Sequence, residues 1–219
     1  MVMKNRKKIL IISLTLLASF TSAAETVTKG MKKVIDDALD FSVKQSMSMF
    51  YEMKDQKGIL PRTAENGKMI TCESAWWTSG FYPGTLWYCY EYSNDPQIRA
   101  AAEEMTSRVE KQKYTTSNHD VGFIINCSFG NGYRLTHNET YRKVIETAAK
   151  SLSTRFHPVT GCTRSWNSKK WQFSVIIDNM MNLELLNVAS SLTGDNTYYN
   201  MAKSHADRTM INHFRPDGS

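Results

Sequence analysis

Two aspartates stand where apolar residues otherwise dominate. Asp120 lies in His119-Asp120-Val121-Gly122-Phe123, and 58 residues later Asp178 lies in Val175-Ile176-Ile177-Asp178-Asn179-Met180-Met181-Asn182-Leu183. Burying an ionised carboxylate is costly unless it is paired or hydrogen-bonded, so two such positions point to a site. Desolvation raises a carboxylic acid's pKa, which suits a general acid working near neutral pH. The expectation is stronger for Asp178, which Ile and Met residues flank on both sides. Asp120 has a duller alternative as a first-turn carboxylate that satisfies backbone amides, and His119 has one as a helix cap.

Aromatic residues accompany both acids. Trp76-Trp77 precedes Thr78-Ser79-Gly80-Phe81, and Trp166 and Trp171 bracket a polar run containing Lys169 and Lys170. Two acids facing a sugar-sized cleft resemble a glycosidase arrangement, in which one protonates and the other positions or activates. Indoles beside lysines fit an acidic saccharide by stacking and charge. They also fit core packing, or a surface hairpin with snorkelling lysines.

The elements that must position these residues read as helices. Ile35, Leu39, Val43, Met47 and Phe50 predict a helix over about 31–53. Pro83 suits the first turn of a helix running through Leu86, Trp87 and Tyr90, and Asn94-Asp95-Pro96 is a cap followed by an N1 proline. Asn118 or His119 opens a helix expected to end near Gly130-Asn131-Gly132. Thr136 or Asn138 caps another to about residue 155. Further helices are expected over about 174–191 and from Asp195 or Asn196 to about residue 214. No β-alternation of comparable length is evident, and residues 163–166 form at most a short extended piece.

These helices repeat. Leu135-Thr136, Thr140-Tyr141 and Ala149 reappear 57 residues on as Leu192-Thr193, Thr197-Tyr198 and Ala206, and Gly80-Phe81 finds a weaker echo in Gly122-Phe123. Two helices per period is the signature of stacked hairpins. Seven helices are expected, three hairpins and half of a fourth. Such an array leaves an apolar face open unless it closes or is capped. The chain is therefore expected to be truncated, the N-terminal part of a larger closed ring. The inner helices would begin near Gly80, Asp120 and Asp178, gathering Trp76, Trp77, His119, Asp120 and Asp178 on one rim. Free N–H groups at those helix starts favour an anionic ligand.

Residues 1–24 read as a secretory signal peptide: Lys4, Arg6, Lys7 and Lys8, an apolar stretch over 9–20, then Ser22-Ala23-Ala24 before Glu25. Export to a bacterial periplasm is expected, without stable membrane insertion, leaving 25–219 as one domain. The formal charge of +6 includes four leader cations and no leader acid, so +2 remains and no nucleic-acid partner is expected. The four cysteines (Cys72, Cys89, Cys127, Cys162) lack zinc-site spacing, and no metal is expected. Cys89 and Cys127 fall in apolar helical stretches and read as small core residues.

Taken together, Trp77-Thr78-Ser79-Gly80-Phe81-Tyr82-Pro83-Gly84-Thr85-Leu86-Trp87, His119-Asp120-Val121-Gly122-Phe123 and Ile176-Ile177-Asp178-Asn179-Met180-Met181-Asn182-Leu183 resemble the unsaturated glucuronyl hydrolases of glycoside hydrolase family 88. The resemblance runs in order from about residue 30 to the end, including His213-Phe214-Arg215-Pro216-Asp217-Gly218-Ser219. It implies an all-α (α/α)6 barrel, of which about seven of twelve helices are present. It also implies oligosaccharides left by polysaccharide lyases as substrate, with a 4,5-unsaturated uronic acid at the non-reducing end. The implied reaction is hydration of the C4=C5 vinyl ether, after which the sugar opens and releases its neighbour. By motif, Asp178 is the general acid/base and Asp120 the second essential acid. His119, Trp77 and Trp166 line the sugar site, and no metal or cofactor is implied. Substrate contacts from the family's C-terminal region have no counterpart to assign, so this fragment is expected to be inactive alone. An unsaturated rhamnogalacturonyl hydrolase of family 105 matches less well around His119-Asp120, and a non-catalytic saccharide-binding remnant is the alternative from another class.

Overall fold

The computed structural model describes residues 28–218, so the expected leader lies outside the described residues. The chain divides into two compact units, one up to Ala38 and one from Leu39 onward. In the first, the opening turns of helix α1 (Lys29–Met53) carry the i,i+4 pairs Lys32–Asp36 and Lys33–Asp37, exposed and each 2.6 Å long. Such pairs add only a few tenths of a kcal/mol to a helix.

Three helical hairpins dominate the second unit. Helix α2 (Phe81–Ser93) turns at Asn94, with φ of 56°, into α3 (Pro96–Ser107), where the Asp95 carboxylate accepts from the Gln97 N–H at 2.7 Å. A second rod comprises α4 (Val121–Ile125), a π turn over Asn126–Gly130 and α5 (Asn131–Thr136). It turns at His137 (φ 52°) into α6 (Glu139–Ser153), capped by Asn138. The third runs through α7 (Asn179–Asn182) and α8 (Glu184–Thr193), turns at Gly194 (φ 75°) and continues as α9 (Asn196–His213), capped by Asp195. The 57-residue repeat is this turn-and-cap unit. His137-Asn138 and Gly194-Asp195 combine a left-handed residue with a side chain that takes an orphan amide, and Asn94-Asp95 does the same.

The first helices of the hairpins pack side by side through glycine. A Cβ on Gly80 would collide with the Ile124 carbonyl, and one on Gly122 would lie 2.5 Å from the Asn182 carbonyl oxygen. Each glycine sits where the start of one first-row helix meets the backbone of the next, which accounts for the Gly80/Gly122 echo. The second-row helices bury the core behind them. Ile124, Ile125 and Phe129 pack with Ile145, Leu152, Leu185 and Leu186, and a second cluster joins Met53, Leu86, Trp87 and Met105. Cys89 is buried and Cys127 half-buried; all four cysteines are free thiols.

Three expectations need correction. The rod from Val121 does not end near Gly130–Gly132. Neither glycine adopts positive φ, the π turn keeps the rod continuous, and His137 ends it. Residues 174–178 are not helical, because Ser174 and Ile176 bond instead to Ser165, Trp166 and Asn179, so the helix starts at Asn179. Third, strands β1 (Ile59–Glu65) and β2 (Lys68–Glu73) form an antiparallel hairpin with a register shift between Pro61 and Thr63. Asn66 and Gly67, at φ 49° and 73°, make its two-residue turn. That Asn-Gly pair is a hairpin signal. It was masked because the strands are largely exposed or half-buried and show no clean alternation. Two-residue strands β3 (Phe156–His157) and β4 (Cys162–Thr163) also pair, covering the start of the expected extended piece. No helix among the described residues is long and apolar enough to cross a membrane.

Candidate active site

Asp120 and Asp178 occupy the N-cap positions of α4 and α7, yet neither carboxylate caps its own helix. At the start of α4 the job is done from outside. The Asn182 carboxamide oxygen accepts the Phe123 N–H at 2.8 Å, and its Nδ2 donates to the Asp178 carbonyl at 3.3 Å. Asn182 is fully buried, as is Asn179. Asn179 Oδ1 accepts from Ser165 Oγ at 2.6 Å and from the Ile176 N–H at 3.1 Å, while its Nδ2 donates to the Thr163 carbonyl at 3.1 Å. These two asparagines hold the loop before α7 and the starts of two helices in register. The reading of Asp120 as a simple helix cap is thereby set aside.

His119 stands between the acids. Its Nε2 is 3.3 Å from Asp120 Oδ1 and 3.7 Å from Asp178 Oδ2, while its Nδ1 is buried without a hydrogen-bond partner. Its backbone N–H donates to the Ser165 carbonyl at 2.8 Å, and Asn118 bridges Trp166. Burial, reinforced by the charge of Arg155, depresses the His119 pKa to about 4, so the ring is neutral at pH 7. With no acceptor near Nδ1, the proton is assigned to Nε2, facing the carboxylates.

Burial first, and the Asp178 charge second, push Asp120 up to about 6, with Arg155 pulling the other way. Asp178 is also raised by burial, opposed by the backbone amides of Asp178 and Asn179. Its Oδ1 is buried without a partner although the side chain is 39% exposed, so one oxygen is dry and the other faces outward. Both carboxyls are thus held above the ordinary carboxylate range, mainly by burial.

The indoles divide. Trp166 lies 6.3 Å from His119, ring centre to ring centre, and Trp77 lies 6.0 Å from Phe123, whose ring is 6.4 Å from His119. Both are about half exposed and flank the acids. Trp76 does not join them; the Arg62 guanidinium covers it at 4.1 Å. Trp171 stands under Lys170 on the loop. Sequence reasoning assigned no role to Asn179, Asn182, Ser165 or Arg155. The available signal was two amides, three residues apart in an otherwise apolar helix start, where an unpaired amide would be costly.

One donor atom from each of His119, Asp120 and Asp178 lies within 4.8 Å of the others, a set that could hold a divalent cation. The same set suits proton transfer, and the raised carboxylate pKa values favour that use.

No protein-family model matches the sequence. It is 47% identical over 146 residues to an unsaturated glucuronyl hydrolase of Formosa agariphila, covering 65% of this chain and 36% of the relative. The solved structure of an unsaturated glucuronyl hydrolase specific for heparin superposes with a TM-score of 0.77 at 40% identity, covering 84% of this chain and 50% of that one. Over part of their length, the chain is similar to proteins of the unsaturated glucuronyl hydrolase family. An unsaturated chondroitin disaccharide hydrolase of Streptococcus pyogenes is 33% identical over 192 residues, covering 84% of this chain and 47% of the relative. The chain thus spans about half the length, or less, of the relatives it matches. Its hairpins follow the (α/α)6 barrel of this family.

Two outcomes test the site. Asp120→Asn is expected to stabilise the fold by about 1 kcal/mol at pH 7.5, after allowance for solvent screening. A pKa raised in the folded state gives stability below about pH 4 that is lost as pH rises through about 6. The variant's advantage in urea unfolding should therefore shrink between pH 6 and pH 4; a pH-independent difference would refute the assignment. His119 has the opposite sign in the same window, and its contribution largely cancels in that comparison. Asn182→Ala should cost about 1–3 kcal/mol by orphaning the Phe123 N–H. It should also let Asp120 turn inward as a cap, lowering its pKa as read by carboxyl NMR titration.

Proposed function

We propose that this chain carries the acid–base centre of an unsaturated glucuronyl hydrolase, acting on lyase-generated acidic oligosaccharides. The substrate bears a 4,5-unsaturated uronic acid at its non-reducing end. The observation that carries the reading is the convergence of Asp120 and Asp178 on His119, at the starts of two adjoining helices. Protonated Asp178 donates to C4 of the vinyl ether, and water adds at C5, giving its proton back to the Asp178 carboxylate. The resulting hemiketal opens, and the neighbouring sugar leaves from C1. Every proton is accounted for by Asp178 and one water, and no metal is required.

Asp120 serves as the second acid. Burial and the neighbouring Asp178 charge raise the cost of ionising it, and its carboxyl oxygens accept hydrogen bonds from sugar hydroxyls. His119, neutral, presents its Nε2 proton to the two acids at the floor of the site, while Trp77 and Trp166 supply apolar walls against which a sugar ring stacks. A desolvated acid is the group this chemistry needs, since the alkene carbon is a weak base. The names of the relatives, which specify glucuronyl, chondroitin and heparin substrates, support an acidic saccharide.

We further propose that the chain is exported, with cleavage after Ala24. Mass spectrometry of the mature protein should then find Glu25 at the N-terminus; an intact Met1 start would refute it. For the chemistry, Asp178→Asn in a protein that turns over unsaturated disaccharide should slow loss of the alkene's ultraviolet absorbance by about 10²–10⁴-fold. The dissociation constant from tryptophan quenching should stay within a few-fold. Turnover near the parent rate would sink the role of Asp178, and loss of binding would make that residue a ligand contact instead.

A further inference from the structure

Arg99, Arg108, Arg134 and Arg142 each sit in an ion pair with a glutamate. Arg155 and Arg164 form no such pair among the described residues. The Arg155 guanidinium is buried and donates only to uncharged oxygens: the Arg164 carbonyl at 2.8 Å, the Thr116 carbonyl at 2.5 Å and Asn167 Oδ1 at 3.4 Å. Arg164 Nε is buried and has no partner. The two cations repel each other, and Asp120 compensates Arg155 only at a distance. Both arginines line one cavity of about 520 Å³, together with His157, Asn167, Gln172 and Phe173. Its volume falls within the range of small-ligand sites, and no carboxylate lines it.

A buried cation without a counter-charge, and beside it a buried donor nitrogen without a partner, are costly to hold unless something anionic completes them. Guanidinium forks match planar and tetrahedral oxyanions in geometry and charge. The Phe173 ring, edge-on to His157 at 5.9 Å, adds an apolar face. Arg164 and Asn167 flank the Ser165-Trp166 segment that contacts Asn118 and His119, so the cavity adjoins the acid pair along the chain. We infer that this cavity binds an oxyanion, a sulfate ester or a carboxylate, carried on a sugar ring of the oligosaccharide. The saccharide part rests on the proposed function; the anion part rests on the two arginines alone.

The probes are a saturated heparin tetrasaccharide, which has no alkene to hydrate, an unsulfated saturated hyaluronan tetrasaccharide, and inorganic sulfate. Each is titrated calorimetrically against the 219-residue protein and its Arg164→Gln and Gln172→Ala variants. Arg164→Gln is expected to weaken saccharide binding by about tenfold, the loss of one charge-assisted hydrogen bond. Gln172→Ala, on an exposed loop where the change does not threaten folding, should weaken it a few-fold. Binding of heparin alone identifies a sulfate ester as the anion, and equal binding of hyaluronan identifies a carboxylate. The inference is overturned if the parent protein binds neither saccharide, if it binds only inorganic sulfate, or if both pocket variants bind as tightly as the parent. No turnover is read, so a failed hydration assay would leave this result standing.

Discussion

A helix start must find partners for its unpaired amides, and here one of those partners comes from the neighbouring helix. An aspartate at the N-cap of α4 would ordinarily spend its carboxylate on the amides of the first turn. The Asn182 carboxamide takes the Phe123 N–H instead, across the contact that Gly122 makes possible. Asp120 is thereby left ionisable, partly desolvated and directed toward His119. The same asparagine holds the Asp178 carbonyl, so one side chain sets the spacing of both acids.

The electrostatics follow from that placement. Burial, and for Asp120 the neighbouring Asp178 charge, disfavour ionisation of the two carboxylates on either side of the neutral imidazole. A remote cation, Arg155, moderates Asp120 without neutralising it. The arrangement lowers the stability of the fold around neutral pH while holding both carboxyls above their ordinary pKa. That opposition between stability and reactivity is common at catalytic centres. It is supported here by a rigid shell: Asn179 and Ser165 are fully buried and bonded to each other.

The hairpin repeat was legible because its recurring unit is local. A left-handed turn residue followed by a capping Asn or Asp obeys short-range rules, and Asn94-Asp95, His137-Asn138 and Gly194-Asp195 all follow them. Helix interiors were harder to read. Gly130 and Gly132 look like a stop signal, yet the rod continues, since packing and a π turn outweigh local preference there. Residues 174–178 look helical by composition, but long-range bonds to the 165–166 segment hold them open. The Asn66-Gly67 hairpin was missed because its strands bury too little to show a period of two.

The sequence by itself determined which residues could act as acids, that they begin helices, and that those helices belong to successive hairpins. Apolar flanks, caps and periodicity are short-range properties and can be read along the chain. The tertiary structure alone decided that His119 sits between the two acids, that Trp166 flanks them while Trp76 turns to Arg62, and that Asn182 frees Asp120 from capping. Those facts depend on distances between residues about 60 positions apart, and only the packing of one helix start against another sets them.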